Sequence, residues 1–418
     1  MAEQLALKAL PSGWIVNNGK NTATPIKPGE LSGLLTTTYR DRLAYNLLRH
    51  EVEIDRQLIQ GSGVDNFYIP LSENGWSINK AAASDTLLWA AQRNSYHPVL
   101  EYLQRIEADP SIVPGDIDTL ATAYLGTTDP LSDAMLAATL IGAVARALQP
   151  GCKFDTCCTL KGAQGIRKSS FWKALASPDW FCDTWQDKPQ DLFMAIQTCW
   201  FYEIAELDSL TSKKEAGVLK ALLSSDTDAF RPPYAMGIGR YPRPSVLVGT
   251  CNRDDFLNDP TGSRRFWIID LPHDPAKGEV LDIDRVAKDR NSIFKAALAA
   301  YRSGRSRWLT KAQQADSNQR NLGFEAEHPF MARLADWTDK PANQFLFTTD
   351  QALSGSACRS SEQIRGNDLK DAAMCLKALG FIQDATQTRR KGQGRVRYWR
   401  RASSDSDASG ANQIPEAG

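Results

Sequence analysis

The chain has 418 residues, enough for two or three domains, and the apolar and aromatic content of an ordinary globular protein. Its formal net charge is zero, which excludes a global basic field, so any nucleic-acid contact must come from local patches. No apolar run approaches the roughly 20 residues that span a bilayer, and no basic-then-apolar leader opens the chain.

Residues 1–30 read as a Pro-, Gly-, Asn- and Thr-rich tail. Tyr39 to Ile54 fits helix and strand equally. Ser77 to Arg93 predicts a helix with Ala82, Leu87, Leu88 and Ala91 on its apolar side. Val99 to Ile106 and Asp116 to Leu125 predict two more. Pro130 to Leu148 is the longest, with Leu131, Met135, Ala138, Ile141, Val144, Ala145 and Leu148 at helical spacing. Residues 31–150 therefore read as a mainly helical N-terminal domain that serves packing and oligomerisation.

From Lys153 strands alternate with helices. That pattern suits a mainly parallel sheet with its ligand at the strand C-terminal ends. The β-prone run Phe154 to Leu160 leads into Gly162-Ala-Gln-Gly165, then Lys168-Ser169 opens a helix to Ala176. This is the layout of a phosphate-binding P-loop. Glycines let backbone N–H groups turn inward around phosphate oxygens, and the helix N-terminus adds its positive dipole end. Gly162, Gln164, Gly165, Arg167, Lys168, Ser169 and Ser170 would bind ATP. Lys168 would reach the β- and γ-phosphates and Ser169 would ligate Mg²⁺. Arg167 stands where the usual spacing has glycine; if the backbone there needs φ > 0, the side chain costs roughly 1–2 kcal/mol. The alternative is a basic turn before an ordinary helix.

Thr198 to Ile204 predicts a strand with Glu203 and Glu206 at its end. One could hold Mg²⁺ and the other orient a water; as an alternative both are solvated acids. Lys213 to Leu223 predicts a helix. Ser245 to Thr250 predicts a strand ending at Asn252, which is either a γ-phosphate sensor or a turn residue. Phe266 to Asp270 predicts another strand, preceded by Arg264 and Arg265. These are either a guanidinium pair for a neighbouring subunit's γ-phosphate or a local salt bridge.

The eight cysteines contain no Cys-x-x-Cys and read as buried thiols in a reducing cytoplasm. A poorly spaced zinc site through Cys152, Cys157 and Cys158 is the alternative. Helices are expected at Val280 to Ser303 and from Trp308 to Asn321. Met331 to Trp337, Thr348 to Leu353 and Gln363 to Leu379 predict three more. A basic hairpin follows over residues 388–401, with its turn at Lys391 to Gly394. Three helices and a basic hairpin suggest a winged-helix domain over residues 328–401. Arg389, Arg390, Lys391, Arg395 and Arg397, with Tyr398 and Trp399, suit phosphates and bases. A solvated hairpin with no partner is the alternative. Residues 402–418 are expected to be disordered.

Six ordered stretches carry a family resemblance. They are Gln149-Pro-Gly-Cys-Lys153, Gly162-Ala-Gln-Gly165 with Lys168-Ser169, Glu203-Ile-Ala-Glu-Leu207, Phe230-Arg-Pro-Pro-Tyr234, Val248-Gly-Thr-Cys-Asn252 and Gly262-Ser-Arg-Arg-Phe-Trp267. With them the chain resembles the virulence-associated protein E family, which is itself similar to the superfamily 3 helicases of phages and plasmids. The resemblance implies an α/β P-loop NTPase core of AAA+ type over residues 151–327. It assigns the Walker A role to Lys168 and Ser169, the Walker B acids to Glu203 and Glu206 and the sensor to Asn252. Arg264 or Arg265 becomes an arginine finger in a ring, a hexamer by analogy. A DNA-contacting pore hairpin is implied at Arg231, Tyr234, Arg240 and Arg243. The function implied is an ATP-dependent helicase on single-stranded DNA in the replication of a phage, prophage or mobile element, with priming by a separate protein and no membrane partner. A nucleotide-switched DNA-binding initiator or regulator with little hydrolysis is the competing reading, and an unrelated P-loop kinase a third.

Overall fold

The computed structural model describes residues 18–19, 23–59, 61–207, 213–231, 237–257, 263–325, 329–343, 346–390 and 394–401. The chain divides into two units, Met1–Glu325 and Ala326–Gly418.

The first unit begins with β1 (Thr24–Pro25), α1 (Pro28–Tyr39), β2 (Leu43–Asn46), β3 (Glu51–Ile54), β4 (Gln57–Leu58), α2 (Gly61–Asp65) and α3 (Tyr68–Glu73). It continues with β5 (Trp76–Ser77), α4 (Lys80–Gln92) and β6 (Ser95–Tyr96). The segment that the sequence left undecided is a hairpin, with β2 and β3 antiparallel at the centre of a β4-β3-β2-β6 sheet. The β3–β4 turn places Asp55 (φ 54°) and Arg56 (φ 61°) both in the left-handed region, the conformation that matches a two-residue turn to strand twist. Leu31, Leu35, Val52, Ile54, Phe67 and Leu87 close this subdomain's core. The region before Cys152 is thus less helical than expected, because strand pairing settles what periodicity cannot.

Three helices follow: α5 (Pro98–Ala108), α6 (Leu120–Leu125) and α7 (Pro130–Leu148). Asp129 caps α7 by accepting from the backbone N–H groups of Leu131 and Ser132, with Pro130 at the first position. By length and apolar composition α7 could cross a membrane, which corrects the expectation that no run approaches that length. It is a core helix, with 89% of its apolar window buried inside the protein.

The central layer is built from β7 (Cys157–Lys161), α8 (Lys168–Ala176), β8 (Phe181–Cys182), α9 (Pro189–Gln197), β9 (Phe201–Ile204) and α10 (Lys213–Ser224). To these are added β10 (Thr227–Phe230), β11 (Gly239–Pro242), β12 (Val246–Cys251), β13 (Phe266–Asp270), α11 (Ile283–Arg302) and α12 (Lys311–Leu322). The sheet runs β13-β7-β12-β9-β8, and every neighbouring pair is parallel. Parallel strands need both faces covered, and here they are. Leu136, Val144, Phe171, Trp172 and Phe294, from α7, α8 and α11, fill one side. Leu192, Ile196, Leu219 and Leu223, from α9 and α10, fill the other. Cys158 belongs to the first core and Cys157 to the second. Strand alternation therefore points them to opposite faces, which a shared zinc site does not allow. All eight cysteines are free thiols. Strands β10 and β11 form an antiparallel hairpin outside this sheet.

The second unit holds α13 (Met331–Thr338), β14 (Phe347–Thr348), α14 (Thr349–Gly355), α15 (Gly366–Ala378) and β15 (Phe381–Gln383). The strands β16 (Thr388–Arg390), β17 (Gly394–Val396) and β18 (Tyr398–Arg401) complete it. The sheet order is β14-β18-β15, antiparallel, with β16 and β17 as a separate hairpin. Trp399, expected to meet bases, is fully buried and donates from Nε1 to Thr349 Oγ1 at 2.9 Å. The hairpin ends at Val396, and β18 turns back into the core of Leu353, Leu376 and Phe381.

Candidate functional site

The site forms where β7, β9 and β12 end on the same edge of the sheet. After Lys161 the chain turns through Gly162, Ala163, Gln164 and Gly165 into α8. Gly165 has φ +89°, and a Cβ on Gly162 would press Ile166 and Leu271. Arg167 adopts φ 69°, ψ 33°, the left-handed conformation that its glycine-like position suggested. Ala163, Gln164, Gly165, Arg167 and Ser170 are exposed around the loop, while Lys168 is buried. Helix α8 is anchored below by Phe171 and Trp172, and Trp172 Nε1 donates to Gly249 O at 3.3 Å.

Lys168 Nζ donates to Gly162 O, Ala163 O and Asn252 Oδ1, each at 2.8 Å. One ammonium thereby joins the loop after β7 to the end of β12. Ser169 Oγ donates to Glu203 Oε1 at 2.7 Å, and Thr250 Oγ1 donates to the same oxygen at 2.7 Å. Thr250 was missed at sequence level; its place two residues before Asn252 on one strand was the available signal. Glu203 is 1% exposed, and its Oε2 is buried with no hydrogen-bond partner among the described residues. Burial pushes its carboxyl above the usual range, against the two hydroxyls and the Lys168 charge, which pull it down.

A buried carboxylate oxygen without a donor calls for a cation or a proton. With the Ser169 hydroxyl beside it, the donors are hard oxygens, which fit a divalent Mg²⁺. Glu206 does not share this place. It is exposed in the turn after β9, with φ 50°, and no hydrogen bond joins it to Lys168 or Ser169 among the described residues.

The two arginines before β13 separate. Arg264 is exposed, whereas the Arg265 side chain is 13% exposed with Nε 4.0 Å from Asp155. Of the hairpin residues, Arg231 and Arg240 are exposed, and Tyr234 lies outside the described residues. Arg243 is corrected from its expected DNA contact. It is 1% exposed, with Nη2 at 2.5 Å from Asp228 Oδ1, and a guanidinium so enclosed cannot reach a phosphate. In the second unit Arg397 is exposed and lines a groove of about 420 Å³ with Lys370, Thr349 and Gln383. Arg389, Arg390 and Arg395 lie on β16 and β17. Lys391 lies outside the described residues.

These features define a mixed α/β protein whose polar site sits at the C-terminal edge of a parallel sheet. The chain belongs to the family described as virulence-associated protein E-like domain, which matches residues 114–326. Its fold is similar to the apo structure of the NrS-1 C-terminal region (305-718), with 11% identity, a TM-score of 0.50, and coverage of 89% of this chain and 98% of that one. The A form of that region matches at 11% identity and a TM-score of 0.48, covering 90% and 100%. No curated protein matches the sequence.

Proposed function

We propose that this chain is a P-loop ATPase that binds ATP with Mg²⁺ and works on single-stranded DNA as a helicase in the replication of a phage, prophage or mobile element. The observation that carries this reading is the meeting of Lys168, Ser169, Glu203 and Asn252 at the ends of three adjacent parallel strands. Each has a partner role in phosphoryl transfer. Lys168 neutralises the β- and γ-phosphates. Ser169 and Glu203 would hold Mg²⁺, which when bound neutralises phosphate charge. Asn252, tied to Lys168, senses the γ-phosphate.

The exposed Arg264 is the candidate to reach the γ-phosphate of a neighbouring copy, in a ring such as a hexamer. Arg231 and Arg240 on the hairpin face DNA. The second unit, read as a winged-helix-like domain, adds Arg389, Arg390, Lys391, Arg395 and Arg397. Free cysteines fit a reducing cytoplasm. One observation favours the competing reading, a nucleotide-switched DNA-binding initiator: Arg167 holds a strained backbone where a glycine would turn freely.

The deciding experiment is ATP hydrolysis with and without single-stranded DNA, for wild type, Lys168→Ala and Glu203→Gln. DNA-stimulated turnover lost by about 100-fold or more in both variants supports the motor. Tight ATP binding without turnover, DNA present or not, leaves the switch.

A further inference from the structure

A cluster of buried charge lies at the opposite edge of the sheet, where β7, β9 and β12 begin. Asp228, Arg243 and Arg146 are each 1% exposed. Asp228 takes Arg243 through both oxygens, Nη2 at 2.5 Å and Nε at 2.9 Å. Gln197 Nε2 donates to Asp228 Oδ2 at 2.9 Å and to Tyr241 O at 3.0 Å. Asp228 and Tyr241 face each other across the β10–β11 hairpin, so one glutamine grips both strands of one rung. Arg243 Nη1 donates to Leu222 O at 2.7 Å, and Arg146 donates to Arg243 O and Phe154 O at 3.1 and 3.0 Å.

Those partners are the roots of the site. Phe154 lies three residues before β7, Gln197 four before β9 and Arg243 three before β12. The far ends of these strands, about 20–30 Å away at roughly 3.3 Å per residue, lead to Lys168, Glu203 and Asn252. A bidentate Arg–carboxylate pair fixes angle as well as distance. A buried pair contributes little stability relative to apolar side chains, so geometry is what this one supplies.

We infer that Gln197, Asp228 and Arg243 are positioning residues that lock the β10–β11 hairpin to the strands bearing the nucleotide site, so that the two move as one body. The inference rests on the ATPase reading above. Its test uses the full chain with Gln197→Leu, which keeps the ion pair, and with the paired change Asp228→Leu/Arg243→Met, which strands neither of its two charges.

Hydrogen exchange and ATP hydrolysis are measured together. The hairpin amides at 228–230 and 239–241 are expected to exchange about 10-fold faster or more, while β7 and β12 keep their protection. Basal hydrolysis and the half-saturating DNA concentration should stay within about twofold, while the maximal DNA-stimulated rate falls about 10-fold. A loosened hairpin with full stimulation overturns the inference, as does a parallel fall of basal and stimulated rates in a variant whose β7 and β12 keep their protection. Should the paired change fail to fold, Gln197→Leu decides. A wild type whose hydrolysis DNA does not stimulate is a different failure, because it removes the DNA-motor reading on which the inference rests.

Discussion

Arg167 shows how a single residue can conflict with its backbone. Its left-handed φ costs roughly 1–2 kcal/mol for a side chain, and glycine returns part of that as unfolded-state entropy. Arg167→Gly should therefore raise stability by up to about 1 kcal/mol in urea titration. If the exposed guanidinium serves the phosphates, the same change raises the KM for ATP severalfold. His97 gives a pH dependence. It caps α5, its Nδ1 accepting from Leu100 N–H at 3.4 Å, and burial pushes its imidazole down to about 4 from the usual 6.5. Between these values the unfolded chain binds more protons than the folded one. Stability is thus full above pH 6.5 and falls as pH drops toward 4, by up to about 3 kcal/mol. His97→Asn, which keeps a cap acceptor but cannot titrate, should flatten that slope in thermal melts. Residue types pointed correctly to the need for φ > 0 at 167. They misled at Arg243 and Trp399, because charge and aromaticity say nothing of burial.

At the scale of elements, periodicity located α7, β9, β12 and β13 closely, since long apolar repeats and short β-branched runs report their own geometry. Local pattern does not reveal the β10 and β11 strands, because prolines and glycines mask strands that pair only with each other; the family resemblance alone implies a hairpin there. Helix α7 also carries a packing constraint that composition hides. A Cβ on Gly142 would lie 2.6 Å from the Phe154 ring. Gly142→Val should lower stability by about 1–3 kcal/mol in denaturant unfolding, although it replaces a glycine within a helix.

At the scale of the molecule, the division at Glu325 gives a separable expectation. On the function proposed above, a chain ending at Glu325 should keep basal ATP hydrolysis, because Lys168, Glu203 and Asn252 all belong to the first unit. It should lose the DNA affinity proposed for the basic hairpin, and with it about one unit of log–log salt slope for each phosphate contact removed. Filter binding across a salt series reads this directly.

The sequence by itself determined the alternation of strands and helices and the family, and it named the loop residues Gly162, Gly165, Lys168 and Ser169 with Glu203, Glu206 and Asn252 as candidate partners. These depend on local spacing. Only the tertiary structure decided that Glu203 rather than Glu206 meets Ser169, that Arg264 rather than Arg265 is exposed, and that Arg243 is a buried anchor. Each choice turns on burial, and burial is set by strands that pair across dozens of residues, a distance no local pattern encodes.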